Sequence, residues 1–195
     1  MSLTSEIALH TQTTNSISVP QVASLLALLG ADRVRCVMRF PSPDDAWEQH
    51  QRWLRNGTPW DDEEYEYIAK EQSAATVAKK IDFRLKHAIF VRGLPPWFRP
   101  LRTEIASMPE WIRGAFDING VHLGLGWRDI VDTDRHTEGR FFARSICALY
   151  VSGSGLIGDR LAFEDAILDL GTFKELKAQL ESIVGPCGVA TTIFY

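Results

Sequence analysis

The stretch from Phe116 to Ser152 constrains the fold of this chain more than any other, because it has the pattern of neighbouring strands in one buried sheet. Apolar residues recur at every second position from Val121 to Trp127, and a second strand pattern runs from Arg140 to Ser152. Asn119-Gly120 stands between apolar residues, and this dipeptide favours a two-residue hairpin turn because both turn positions need a positive φ. We expect two or three adjacent strands here, with a turn at Asn119-Gly120.

Length and composition predict one packed domain. The 195 residues are 45% hydrophobic, which is enough to bury a sizeable core. We predict a single α+β domain over residues 18–195, with a mixed, mainly antiparallel sheet of about five or six strands and helices packed on one face. Residues 1–17 are rich in Ser, Thr, Asn and Gln, and they are predicted to form a mobile N-terminal tail with at most a short edge strand.

Local signals predict where several helices begin and end. Ser18-x-x-Gln21 has the pattern of a capping box, and Gly30 is placed to end the helix that follows. A pair of helices is predicted next, the first entered at residues 41–45 and the second running from Thr58 to Lys80, with Tyr67 on its apolar side.

The last part of the chain is predicted as a helix followed by a strand. Thr172-x-x-Glu175 has the pattern of a second capping box, and Gly185-Pro186 stops the helix that it opens. Residues 189–195 are β-branched and aromatic, so we expect a strand pinned inside the sheet.

Charge and cysteine usage favour a soluble cytoplasmic protein with no membrane partner. The formal net charge is -4, so no global field attracts nucleic acid or an anionic membrane. A secretory signal needs basic residues near its start, and no Lys or Arg precedes Arg33. The apolar run from Val22 to Ala31 is too short to span a bilayer. The three cysteines are widely spaced in apolar runs, which predicts buried, reduced thiols.

The basic and aromatic segment 84–113 is the predicted partner-binding surface. Between Ile81 and Ala115, six basic residues stand against three acidic ones, with two tryptophans among them. Basic residues interleaved with aromatic ones are what single-stranded nucleic acid or a phosphorylated partner needs. The alternative is a proline-rich connection whose aromatic rings fill the core edge while its arginines stay in solvent. The residues predicted to contact a partner are Arg92, Trp97, Arg99, Arg102, Trp111 and Arg113.

The polar loop between the two long strands is the candidate catalytic or metal site. In an extended loop, Asp132, Asp134, His136 and Glu138 would project to one side, since side chains alternate with period two. Three carboxylates and an imidazole could bind a divalent cation such as Mn²⁺ or Mg²⁺, and no other cofactor is indicated. The same set could supply an acid/base pair, with His136 and Asp134 as the catalytic candidates. The alternative is a solvated hairpin tip, for which Asp, Thr and Gly are favoured on turn grounds alone.

One histidine on a predicted strand points away from its apolar neighbours. His122 alternates with Val121 and Leu123, so it lies on the other face of the sheet together with Gly124 and Gly126. Small residues at these positions leave room for a packed helix or for a ligand to lie across the strand.

Two functional hypotheses follow. The first is a soluble intracellular binding or regulatory protein that acts on another macromolecule, as an inhibitor, immunity factor or adaptor does. It rests on the absence of an intact catalytic motif and on the segment Arg92–Arg113, with another protein as the expected partner and nucleic acid as the alternative through 84–113. The second is a small enzyme that uses the 132–138 loop on a phosphate-bearing or small polar substrate.

Overall fold

The computed structural model describes most of the chain, in ten ranges. The described residues are 4–11, 16–30, 33–40, 67–68, 72–83, 86–91, 94–113, 117–131, 141–154 and 160–194.

The described residues form eight strands and six helices. The strands are β1 (Thr4–Thr11), β2 (Arg33–Phe40), β3 (Tyr67–Ile68), β4 (Gln72–Ser73), β5 (Lys86–Val91), β6 (Asp117–Val131), β7 (Phe141–Ser154) and β8 (Cys187–Phe194). The helices are α1 (Val19–Leu28), α2 (Ala74–Lys80), α3 (Phe98–Ala106), α4 (Glu110–Arg113), α5 (Arg160–Leu168) and α6 (Gly171–Val184).

The strands form one sheet, and the fold is α+β as predicted. Their order is β3-β2-β5-β6-β7-β1-β8, and β4 also pairs with β2. Two of these strands are only two residues long, which leaves six of substantial length. Every pairing between described strands is antiparallel, so the sheet is more regular than the mixed sheet that we expected.

Helices pack against one face of the sheet. Ile89, Leu123, Leu149 and Leu9 lie side by side across four neighbouring strands. All four are buried in the same hydrophobic cluster as residues of α1, α2, α3, α5 and α6. Each fully buried leucine of this kind contributes about 1.5–3 kcal/mol relative to an exposed one, so this shared face is the main source of stability.

The first strand overturns the prediction of a mobile tail for residues 4–11. β1 pairs with β7 on one side and with β8 on the other, so it is an interior strand and no edge strand. Ile7 and Leu9 fill the core on the helical side, and His10 is fully buried on the opposite face. The polar composition misled the prediction, because only two side chains of β1 reach the main core.

The predicted turn at Asn119-Gly120 is also wrong. Residues 117–131 form one continuous strand, and neither Asn119 nor Gly120 has a positive φ. The register with β7 shifts between Ile118 and Gly120, so the dipeptide forms a β-bulge. A bulge adds one residue to a strand without reversing it, and β7 pairs with β6 on both sides of this point.

The first helix begins and ends where the sequence predicts. Ser18 is the N-cap, and both hydrogen bonds of the capping box with Gln21 are present. At the other end, Gly30 has a φ of 65° and lies against Pro96.

The second predicted helix is much shorter than expected. Its described part covers only α2, because Tyr67–Ile68 and Gln72–Ser73 pair with β2 as short strands. Ser73 is the N-cap, and its side chain accepts a hydrogen bond from the Thr76 backbone N–H. The preceding predicted helix, entered at residues 41–45, lies outside the described residues.

The chain's last helix is capped from another helix rather than by its own residues. The predicted capping box of Thr172 and Glu175 is wrong: Leu170 is the N-cap, and its apolar side chain accepts no capping hydrogen bond. Instead the Glu104 carboxylate of α3 accepts hydrogen bonds from the Thr172 backbone N–H at 3.2 Å and from its hydroxyl at 2.8 Å. This ties α3 to the positive end of α6.

The last strand lies at an edge of the described sheet. β8 pairs with β1, and the sheet order places it at the end of the row. The expectation that it would be pinned inside the sheet is therefore wrong, since β1 occupies the interior position beside it.

Candidate functional site

The predicted partner segment is organised around α3. Phe98, Leu101 and Ile105 bury one side of this helix in the core. Arg99 and Arg102 are both exposed, and at a spacing of three residues they are neighbours on the helix surface. Arg92, which was predicted to join them, lies outside the described residues.

Trp97 holds the end of α1. Its indole N–H donates to the Leu28 carbonyl oxygen at 2.9 Å, and its ring is half-buried against the main core. The last carbonyls of a helix have no partner within the helix, so this bond satisfies one of them. The ring of Trp97 therefore contributes to the packing of α1 against the core.

Trp111 is the exposed tryptophan of the segment. It lies in α4 with 53% of its surface exposed, and Leu94, before α3, is 61% exposed. Arg113 ends the same short helix, but its side chain is outside the described part of the structure. We call Leu94, Arg99, Arg102 and Trp111 the Trp111 surface.

The arginines of the Trp111 surface are available to an incoming ligand. Arg102 Nη2 lies 3.6 Å from Asp117 Oδ1, but both side chains are more than half exposed, so water screens this pair and it contributes little to stability. The neighbouring Glu104 is already engaged at the start of α6. The surface thus combines large apolar side chains with positive charge.

The polar loop that was predicted as a catalytic or metal site lies outside the described residues. This applies to Asp132, Asp134, His136 and Glu138, and the hypothesis built on them stays a prediction. The strands on either side are paired up to Val131 and Phe141. Among the residues that are described, no group of three or more His, Cys, Asp or Glu is placed to hold a metal ion.

A row of rings crosses the sheet face opposite the main helical core. His122 of β6 stacks on Tyr150 of β7, with ring centroids 4.6 Å apart, and Phe90 of β5 lies 5.3 Å from His122 on the other side. The position of His122 on this face agrees with the alternation of its strand. Glu6 extends the cluster, since its Oε1 lies 3.9 Å from His122 Nδ1 and accepts a hydrogen bond from the Ser152 hydroxyl at 2.9 Å.

This cluster links strands and lacks the arrangement of a nucleophilic site. Ser152 donates its proton to Glu6, and a serine nucleophile would instead donate to the imidazole. The ring contacts are typical cross-strand pairs, which stabilise neighbouring strands by about 0.2–1 kcal/mol each. We therefore assign the Phe90–His122–Tyr150 row to the stability of the sheet.

An open cleft of about 620 Å³ lies beside the C-terminal end of α2. It was not predicted, because its residues come from four separate parts of the chain. The sequence patterns place Lys80 at the end of a predicted helix and Trp127 in a predicted strand. The cleft is lined by Ser16, Lys79, Lys80, Ile81, Asp82, Phe83, Trp127 and Ile146.

The thiol for which a pKa shift is resolved has the character of a core residue. Burial raises the pKa of Cys187 to about 11, and the nearby Glu181 carboxylate adds to the effect. Since the thiolate is the nucleophilic form, this thiol is inert at neutral pH. Lys177 in turn lowers the pKa of Glu181, which also accepts the Cys187 backbone N–H at 3.2 Å and so joins α6 to β8. Cys147 and Cys187 are both buried, as predicted, and neither forms a disulfide.

Comparisons with known proteins give no assignment of class or family. No protein-family model, no curated protein and no solved structure matches this chain. Within the described residues, none of the helices has the length and apolar character needed to cross a membrane.

Proposed function

We propose that this protein binds another protein through the Trp111 surface and acts as a regulatory or inhibitory binding protein in the cytoplasm. The observation that carries the proposal is the 53% exposure of Trp111 in a segment that also exposes Arg99 and Arg102. Cys147 and Cys187 are buried and form no disulfide, which supports the proposal of a reducing compartment.

The residue types support a protein partner. Tryptophan and arginine are the residues most enriched among the few that dominate binding energy at protein interfaces. When a partner covers a large exposed ring, the contribution to the binding free energy is large, because the hydrophobic contribution scales with the apolar area that is removed from water. Leu94 offers a second apolar contact within the same segment.

The charges define the chemistry of the partner. Arg99 and Arg102 point to an acidic segment with carboxylates, which guanidinium groups bind through two parallel hydrogen bonds. We therefore expect the partner to present Asp or Glu next to an apolar anchor. Phosphate groups of single-stranded nucleic acid carry the same charge, and the experiment separates the two.

The test is selection of peptides on the full-length chain. A phage-displayed library of random peptides is panned on the immobilised protein, and the enriched peptides are synthesised and titrated by calorimetry. Enrichment of acidic peptides with an apolar residue is the expected result. Trp111→Ala should weaken binding of these peptides at least about fivefold, since truncation of such a residue removes more than about 1 kcal/mol. The double charge reversal Arg99→Glu with Arg102→Glu should have a comparable effect.

Val19→Ala is the matched control. Val19 is another exposed apolar side chain, at 43%, but it lies at the start of α1, about 15 Å along the helix from the end that Trp97 contacts. Binding should be unchanged in this variant. Peptides without acidic residues, or peptides that bind Trp111→Ala as well as the wild type, would contradict the proposal. Tighter binding of an oligothymidylate, with affinity falling steeply between about 50 and 200 mM salt, would replace the protein partner by nucleic acid.

A further inference from the structure

The cleft beside α2 has the size of a small-molecule site. Its volume of about 620 Å³ falls within the range of about 300–1,000 Å³ that is usual for ligand pockets. It lies between the end of α2, the residues that follow it, and the bulged part of β6 and β7. None of these residues belongs to the Trp111 surface, so the cleft is a separate feature.

The described residues that line this cleft carry a net positive charge. Among them, Lys79 and Lys80 are basic and Asp82 is acidic. Both lysines are exposed, so they can move towards a ligand without loss of core packing. The chain as a whole is acidic, with a net charge of -4, so the attraction of an anion to this cleft comes from its own lysines and not from the overall charge.

Aromatic rings supply the second half of the lining. Phe83 and Trp127 are both half-buried, and each packs against the main core on one side. Trp127 lies in a bulge, where the register of β6 with β7 shifts between Leu125 and Arg128 and Gly126 has a φ of 90°. Bulges re-aim side chains next to binding sites, and this one holds the indole at the cleft.

We propose that this cleft binds a small organic anion that carries an aromatic ring. The ring is received between the apolar groups of Trp127, Phe83 and Ile146, and the negative group is received by Lys79 and Lys80. Each half of the lining selects one half of the ligand. An anion without a ring would leave the aromatic side uncovered, and a neutral ring would not interact with the lysine charges.

The experiment follows the indole N–H resonance of Trp127 by NMR in the full-length protein, with the resonance assigned from its loss in Trp127→Phe. The probes are adenosine monophosphate and indole-3-carboxylate as aromatic anions. Inorganic phosphate is the anion without a ring, and adenosine and indole are the rings without charge. We expect at least one aromatic anion to shift the resonance in a saturable manner, with an affinity at least about tenfold higher than that of phosphate or of its own neutral counterpart.

Substitution of the lysines separates binding from folding. In the double variant Lys79→Gln with Lys80→Gln, the affinity of the aromatic anion should fall at least about tenfold, and the exposed positions leave the fold intact. Lys174→Gln removes another exposed lysine, on α6, and should leave the affinity unchanged.

Three outcomes would overturn the proposal. The first is that neither aromatic anion shifts the Trp127 resonance. The second is that neither aromatic anion binds more tightly than its own neutral counterpart, and the third is that the double lysine variant retains wild-type affinity. Failure at the cleft would leave the Trp111 surface untouched, because the peptide titration uses different residues.

Discussion

Gly30 shows most clearly how one residue type is fixed by its position. Its φ of 65° is in the left-handed region, and a Cβ atom there would lie 2.7 Å from Pro96 Cδ. The ring of Pro96 cannot move aside easily, because the next residue, Trp97, is held by its hydrogen bond to the Leu28 carbonyl oxygen. A side chain at this position therefore meets both backbone strain and a steric clash.

Gly30→Ala should lower the free energy of unfolding by about 2–3 kcal/mol, from left-handed strain and the contact with Pro96. Urea unfolding followed by circular dichroism measures this change. Gly171→Ala is the matched control, because a Cβ there would meet its nearest neighbour at an ordinary 3.6 Å. That substitution should change the free energy by less than about 0.5 kcal/mol. Equal effects of the two substitutions would contradict the role of Gly30.

His10 makes the stability dependent on pH. It is fully buried in the sheet, and burial lowers its pKa below the ordinary value of 6.5. The unfolded chain therefore binds more protons than the folded one below about pH 6.5, so acidification favours unfolding. The stabilising effect is complete above about pH 6.5 and is lost as the pH falls through the folded pKa, by at most about 1.4 kcal/mol per pH unit.

An NMR titration of the His10 ring protons should give a pKa below 6.5. In addition, urea unfolding of His10→Gln at several pH values between about 5 and 7 should show a smaller pH slope than the wild type. The difference in slope is the measurement, since the substitution also changes the absolute stability. Titration of His10 at or above 6.5 would refute the assignment.

At the scale of elements, a contact between two helices caps α6 in place of the predicted local capping box. Glu104 of α3 accepts the hydrogen bond at the start of α6 that the pattern of Thr172 and Glu175 predicts within α6 itself. Glu104→Ala should destabilise the protein by about 1–2 kcal/mol, because it removes a charged partner from a helix N-terminus.

Glu175→Ala is the control for this prediction, since Glu175 is exposed on the same helix. It should change the free energy of unfolding by less than about 0.5 kcal/mol. Urea unfolding of both variants distinguishes the two carboxylates. A larger effect at Glu175 than at Glu104 would restore the local capping box.

Elements whose signals are local could be predicted from the sequence. Ser18, Gln21 and Gly30 act within a few residues of one another, and α1 was predicted with its correct ends. The Asn119-Gly120 turn failed because the same dipeptide fits a turn or a bulge, and the partner strand decides between them. The prediction of a mobile tail in place of β1 failed because partner strands decide here too, and the two partners of β1 lie far along the chain.

The candidate sites divide in the same way. The Trp111 surface lies within one continuous segment, so the basic and aromatic composition of that segment is enough to indicate it. The cleft could not be found from the sequence, because Ser16, Phe83, Trp127 and Ile146 come together only in the folded protein. The spacing of these residues along the chain does not indicate that they lie close together in the folded protein.

At the scale of the whole molecule, the position of β1 sets the order in which the sheet can be completed. The strands β5, β6 and β7 can pair in sequence order, but 129 residues separate Thr11 from Phe141, the start of β1's first partner. During synthesis β1 therefore leaves the ribosome long before β7 exists, and its backbone groups have no native strand to bond. Pairings across so long a separation form slowly, and an unpaired strand can join another chain in the meantime. The end of the sheet formed by β1 and β8 is thus its last part to assemble.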